Sequence, residues 1–227
     1  MSYAFCSKDF AAKPYWWNGT PRPQTVGATL PTQTDVLVIG SGYTGLQCAL
    51  QTAQAGRHTT VIDAEDLGWG CSSRNGGQIS GEIKPDFNQL KRRYGSDQAL
   101  SLIREARKAL EWLGEFVEAQ QIDCDYQRCG RFVAAHSPRQ FKKLIAQAEQ
   151  QTPGLEQTLN IIGPGDQSSE IDSRYYHGGL IVDSHCSLDP AKYHSALLQK
   201  VQDSGAETID HCAAMHIEAN KTGFRVT

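Results

Sequence analysis

Gly40-Ser41-Gly42-Tyr43-Thr44-Gly45 sets three glycines in the pattern GxGxxG. That spacing suits one piece of chemistry, the gripping of a diphosphate by backbone groups. Gly40 permits a tight turn, Gly42 removes a Cβ that would collide with a pyrophosphate, and Gly45 lets a following helix lie close to the preceding strand. Tyr43 and Thr44 open that helix, whose first N–H groups and dipole favour an anion. Asp63 lies 23 residues after Gly40. A carboxylate there accepts hydrogen bonds from ribose hydroxyls and repels a 2′-phosphate, which argues against NADP. A second stretch, Cys71-Ser72-Ser73-Arg74-Asn75-Gly76-Gly77-Gln78, offers hydroxyls, N–H groups and a glycine pair. Such a segment can satisfy further phosphate oxygens and lie flat against a ring system. Read without function, the first motif is a Gly-rich βα turn, and the second is a surface loop with an Asn-Gly turn.

The elements that must position these residues are legible around them. Asp35 to Ile39 is a short apolar run, expected as a parallel strand buried on both faces. Tyr43 to Ala55 has helical spacing, with Leu46, Ala49, Leu50 and Ala53 on one side and a stop at Gly56. Thr59 to Ile62 is a second β-branched strand. Together they form a βαβ unit. A long helix is expected over Ser96 to Ala119 with Ser96 as N-cap, and a strand over Arg131 to Ala135. A further helix opens at Ser137-Pro138 and buries Phe141, Leu144, Ile145 and Ala148. Leu180 to Val182 reads as a strand. Asp189-Pro190 starts a capped helix that ends near Ser204, before Gly205. Strands are expected at Glu207 to Asp210, at Met215 to Ala219 and from Phe224. Ahead of all this, residues 1–33 read as an irregular arm, broken by Pro14, Pro21, Pro23 and Pro31. Its Tyr15-Trp16-Trp17 is expected to clamp it onto the domain.

At these residues a family resemblance enters. Asp35 to Gln78 resembles the flavin-binding start of the D-amino-acid oxidase superfamily of FAD oxidoreductases. The run Ser73 to Gln78, with the upstream Tyr15-Trp16-Trp17, is most similar to the gamma-glutamylputrescine oxidase branch. Asp189 to Ile217 resembles the family's later return to the FAD domain. The resemblance implies an α/β fold with a Rossmann-like FAD-binding βαβ core, inserted helices and part of a substrate domain. It implies that Gly40, Gly42, Tyr43, Thr44 and Gly45 hold the FAD pyrophosphate. Asp63 would bind the adenosine ribose with Ala64 beside it. Ser72, Ser73, Arg74, Asn75, Gly76, Gly77 and Gln78 would line the pyrophosphate, ribityl chain and flavin edge, and Ala214 would touch adenine. The implied reaction is oxidation of an amine or amino acid by hydride transfer to flavin, with imine hydrolysis and reoxidation by O2.

Domain boundaries follow: an arm over 1–33, a first FAD-binding part over 34–125, part of a substrate domain over 126–187 and an incomplete return segment over 188–227. Members of the family are much longer, so the chain is expected to be a truncated N-terminal portion whose partner is the missing C-terminal part. No residue is nominated as catalytic. Three readings stay open: the FAD oxidoreductase, an NAD-dependent dehydrogenase fragment, and a truncated non-catalytic product.

Composition excludes other classes. The formal net charge of −3 lacks the basic surplus of a nucleic-acid binder. No apolar run nears the roughly 20 residues of a membrane helix. Seven cysteines, an odd number without CxxC pairs, read as reduced thiols in a cytoplasmic protein. Seven histidines show no HExxH pairing, so no metal site is expected. No GxSxG or GxxxxGK[ST] stretch occurs, against hydrolase and P-loop chemistry.

Overall fold

A computed structural model describes residues 7, 10–23 and 29–227; the parts of the expected arm at 1–6, 8–9 and 24–28 lie outside the described residues. In chain order the elements begin with β1 (Val36–Ile39), α1 (Tyr43–Gln54), β2 (Thr59–Ile62), β3 (Gln78–Ile79), α2 (Phe87–Tyr94) and α3 (Ser96–Ala119). Then come β4 (Arg131–Ala134), α4 (Pro138–Glu149), β5 (Leu159–Ile162), β6 (Gly179–Val182) and β7 (Cys186–Ser187). The chain closes with α5 (Pro190–Asp203), β8 (Glu207–Ile209), β9 (Ile217–Asn220) and β10 (Gly223–Val226). Single 3₁₀ turns stand at Tyr15–Asn18, Cys71–Ser73 and Asp166–Ser169.

The chain divides into two compact units. The first comprises 1–77, 122–124 and 189–227; the second comprises 78–121 and 125–188. The break after Gly77 differs from the expected span of 34–125, because α2 and α3 pack within the second unit.

The first unit is built on a parallel sheet of order β1-β2-β8. Val36 pairs with Thr59 and Ile39 with Ile62, and Thr60 pairs with Glu207. Helix α1 makes the crossover from β1 to β2, and α5 packs against α1. Leu46, Leu50, Val61, Leu197 and Val201 are buried between these layers, each contributing about 1.5–3 kcal/mol by leaving water. Strand β2 is buried throughout. Strand β1 is not buried on both faces as expected: Val36 and Leu37 are half-buried, and Ile39 is 50% exposed. The reason is its place at the sheet's end, flanked by β2 on one side only among the described residues.

The Asp189 carboxylate accepts from the N–H groups of Ala191 and Lys192, capping α5 as expected, with Pro190 in its first turn. Beyond β8 the chain is irregular until β9, which pairs antiparallel with β10. The strand expected at Met215 to Ala219 therefore begins two residues later, and the chain from Phe224 folds back onto β9.

In the second unit β6 lies between β4 and β5, both antiparallel to it. Helix α4 covers this sheet through Leu144, which is buried with Ala135, Leu180 and Val182. Ser137 caps α4 by accepting from the Gln140 N–H at 3.2 Å. Helix α2, absent from the sequence reading, is closed by a reciprocal pair in which Asp86 accepts from the Gln89 N–H while the Gln89 side chain accepts from the Asp86 N–H. Gly95, not Ser96, occupies the N-cap of α3, with no side-chain cap. A short β3–β7 pair completes the unit.

Candidate dinucleotide site in the first unit

The site starts at the mouth of β1–α1–β2. Gly40 has φ +98°, so it turns the chain where an L side chain would be strained. Gly45 does what its position requires: a Cβ there would stand 2.1 Å from the Gly40 carbonyl oxygen and 3.1 Å from Val38. Helix α1 can approach the strand end only with hydrogen at this position. The first intrahelical bond runs from Leu46 N–H to the Gly42 carbonyl, so the Thr44 and Gly45 N–H groups have no carbonyl partner within the helix. Thr44 is exposed there. These groups form an anion-receptive helix start.

Gly42 clears space for a neighbour different from the one expected. A Cβ on Gly42 would meet the Ser72 hydroxyl at 3.1 Å, and that hydroxyl accepts from the Tyr43 N–H at 3.1 Å. Ser72 thus already stands at the helix start and satisfies one of its amides. The Tyr43 side chain turns the other way. Its hydroxyl donates to the Pro190 carbonyl at 3.0 Å and its ring meets Tyr193 edge-on at 5.1 Å. Burial raises the Tyr43 hydroxyl well above the ordinary phenol range, so it remains a proton donor.

Asp63 closes β2 and is half-buried. Oδ2 accepts from the Ser41 N–H at 2.8 Å and from the Ser41 hydroxyl at 2.5 Å, and Oδ1 accepts from the Glu65 N–H at 3.1 Å. A carboxylate has about four acceptor positions, so Asp63 retains room for one more donor on Oδ1. Ala64 is exposed beside it. Cys212 N–H donates to the Asp63 carbonyl at 2.7 Å, which brings the following segment alongside. Ala214 is half-buried in that irregular segment and not in a strand.

The second stretch is more self-contained than its composition suggested. Ser73 is 1% exposed; its hydroxyl donates to the Gly68 carbonyl at 2.6 Å and accepts from the Trp17 indole at 2.9 Å. The Arg74 guanidinium lies over the rings of Trp17 and Trp69, at 4.8 and 4.5 Å, and donates to the Trp69 carbonyl. Asn75 donates to the Cys71 and Ser72 carbonyls and accepts from the Gly77 N–H. Gly76 is exposed with nothing beside it, and Gly77 has φ +70°. Gln78 is exposed and belongs to the second unit as the first residue of β3. So Gly40, Gly42, Tyr43, Thr44, Gly45, Asp63, Ala64 and Ser72 gather at the strand ends, while Ser73, Arg74 and Asn75 knit their own loop.

Trp16 and Trp17 of the arm clamp this loop, the indole of Trp16 donating to the Asn75 carbonyl at 2.8 Å. Arg22 adds a bond to the Leu67 carbonyl at 2.8 Å and stacks on Trp17 at 4.3 Å. Tyr15 meets the ring of Trp16 edge-on at 5.3 Å and is itself 77% exposed. Two further residues escaped the sequence reading. Ser41 fills a variable position of the glycine motif yet is fully buried, and His194 on α5 is 2% exposed. A histidine within the buried face of α5, between Tyr193 and Leu197, was the available signal.

Asp66, Asp210 and His211 lie close enough to share an ion, but Asp66 and His211 already pair at 3.0 Å and His211 is exposed. The second unit carries a cleft of about 1140 Å³, lined among others by Glu82, Arg107, Arg128, Arg131 and Asp183. Arg107 is committed to the Leu155 and Glu156 carbonyls.

A parallel βαβ unit with a tight glycine turn, a helix start presenting free amides and a carboxylate ending the next strand defines a dinucleotide-binding fold. The chain belongs to the FAD dependent oxidoreductase family, which matches residues 35–227. It is 31% identical over 184 residues to gamma-glutamylputrescine oxidoreductase of Escherichia coli (strain K12), covering 81% of this chain and 43% of that protein. Glycine oxidase from Geobacillus kaustophilus superposes with a TM-score of 0.68 at 16% identity, covering 85% of this chain and 50% of that one. L-amino acid deaminase from Proteus myxofaciens gives 0.67 at 18% identity, covering 90% and 44%. The chain spans about half the length of these relatives or less. FAD is the family's cofactor. The residues present fit it at the diphosphate: the start of α1 offers the Thr44 and Gly45 amides without helical partners. No described helix is long and apolar enough to cross a membrane.

Proposed function

We propose that this chain supplies the part of an FAD-dependent amine or amino-acid oxidoreductase that holds the adenosine and diphosphate of the cofactor. The observation that carries the reading is the start of α1: Gly45 seated against the Gly40 carbonyl with the Thr44 and Gly45 amides free. The Gly42, Thr44 and Gly45 N–H groups and the Ser72 hydroxyl would donate to diphosphate oxygens. The one open acceptor position of Asp63 would take a ribose hydroxyl, and Ala64 and the segment through Ala214 would flank the adenine. Ser73, Arg74 and Asn75 act one layer back, shaping the loop that carries Ser72. Gly76 and Gly77 follow it toward the flavin end.

When bound, FAD supplies the centre that accepts a hydride from the substrate C–H bond. The amine or amino-acid class rests on the names of the relatives. We place the protein in the cytoplasm on the strength of its six free cysteines among the described residues. The residues that would grip the substrate are not assigned to this chain.

The test is a binding comparison on the full chain. FAD is expected to bind with quenched flavin fluorescence, and NAD is expected not to displace it. A preparation that ignores FAD but binds NAD would replace this reading with a nicotinamide one. One that binds neither would leave a non-catalytic product.

A further inference from the structure

Ser41 stands inside the glycine motif and every polar atom it carries is engaged. Its N–H and hydroxyl donate to Asp63, and its hydroxyl oxygen accepts from the Gly68 N–H at 2.7 Å. Its carbonyl oxygen lies 2.7 Å from Nε2 of His194. A carbonyl can only accept, so Nε2 carries the proton and donates. The imidazole has no freedom to leave: a Cβ on Gly68 would stand 2.2 Å from its Cε1, and the residue is 2% exposed on α5. Burial holds it below the ordinary imidazole range, so at neutral pH it is an uncharged donor.

The consequence lies in the peptide group. The Ser41 carbonyl and the Gly42 N–H belong to one planar trans peptide and point in opposite directions. Fixing the carbonyl against α5 therefore fixes the Gly42 N–H away from α5. Without that anchor, the peptide plane turns about ψ of Ser41 and φ of Gly42, and a glycine is the residue least able to resist such a rotation. We infer that His194 is a positioning residue for the cofactor: its Nε2–H sets the Ser41–Gly42 peptide plane and so aims the Gly42 N–H at the diphosphate. The inference rests on the FAD reading given under the proposed function. The ligand class concerned is the nucleoside diphosphate half, so ADP is a sufficient probe.

The test compares the full chain with His194→Gln, which places an amide N–H near the position of Nε2, and with His194→Met, which fills space without a donor. FAD and ADP dissociation constants are measured by titration, and apo-chain thermal unfolding is followed in parallel. Loss of one oriented donor is expected to weaken both ligands about tenfold in the Met variant. The Gln variant is expected to stay within about threefold of the parent, since the donor is restored. Parent binding of FAD, with Met unchanged, would overturn the role of His194 alone; so would equal losses in Gln and Met. No FAD binding by the parent would overturn the underlying reading instead. Should the Met variant not fold, ¹⁵N NMR of the parent imidazoles decides. The Nε2-protonated tautomer of His194 is expected, with the Gly42 amide resonance shifting on addition of ADP. An Nδ1-protonated tautomer, or a Gly42 amide blind to ADP, would overturn the inference.

Discussion

At the scale of the residue, Asp63 shows how one carboxylate can serve a fold before it serves a ligand. It accepts from the Ser41 N–H, the Ser41 hydroxyl and the Glu65 N–H. An amide in its place cannot accept on its NH₂ side, so Asp63→Asn is expected to cost about 1–3 kcal/mol of stability, read by urea denaturation of the apo chain. His194 yields a pH prediction. Burial lowers its folded-state value below the 6.5 of a free imidazole, with Arg22 adding to the effect while the Ser41 carbonyl and Asp63 oppose it. Between that lowered value and 6.5, the unfolded chain binds more protons than the folded one. Acid therefore draws the protein toward the unfolded state. Stability contributed by His194 is complete above 6.5 and is lost as the pH falls. The difference in denaturation midpoint between the parent and His194→Gln should shift across that window and level off above it. The glycines and Asp63 were legible because their spacing is set by a ligand-sized turn. Ser41 and His194 were not, because their roles arise from a tertiary contact across 153 positions of sequence.

Elements were easiest to read where local chemistry fixes their ends. Asp189-Pro190 and Ser137-Pro138 announce α5 and α4, and both caps are formed. Asp189→Ala removes two accepted N–H bonds and is expected to lower stability by about 0.5–2 kcal/mol, measurable in the same denaturation experiment. Helix α2 was missed although Asp86 and Gln89 carry a capping pair, because its short run shows one buried residue, Leu90, and no apolar stripe. The burial of β1 was over-read. Four apolar residues in a row describe a strand, but whether both faces are covered depends on what lies beside it, and β1 ends its sheet. The arm takes the clamping role expected of its aromatics. It holds the loop that carries Ser72 through Trp16, Trp17 and Arg22. Trp17→Ala deletes an indole donor, two cation–π contacts and the packing on Trp69. Amide exchange of the loop from Leu67 to Asn75 is expected to quicken, and unchanged protection there would remove the clamp from the account.

For the whole molecule, two units emerge from one chain: three separated stretches make up the first, and the outer two of them supply its parallel sheet. The βαβ start and the capped return helix carried enough local signal to place that unit from sequence. The split after Gly77 did not, since α3 reads equally well as a helix of either unit until its packing partners are known. The family assignment and the fold stand on residues 35–227, and the chemistry of the whole reduces to whether the opening crossover grips a diphosphate. The most direct measurement is a titration of FAD into the full chain and into Gly42→Val. A branched side chain at residue 42 would press on the Ser72 hydroxyl, already 3.1 Å from where a Cβ would stand, and would cover the amides at the start of α1. The account predicts saturable FAD binding by the parent and at least about a tenfold loss in the variant. Equal FAD affinity in the two proteins would contradict it.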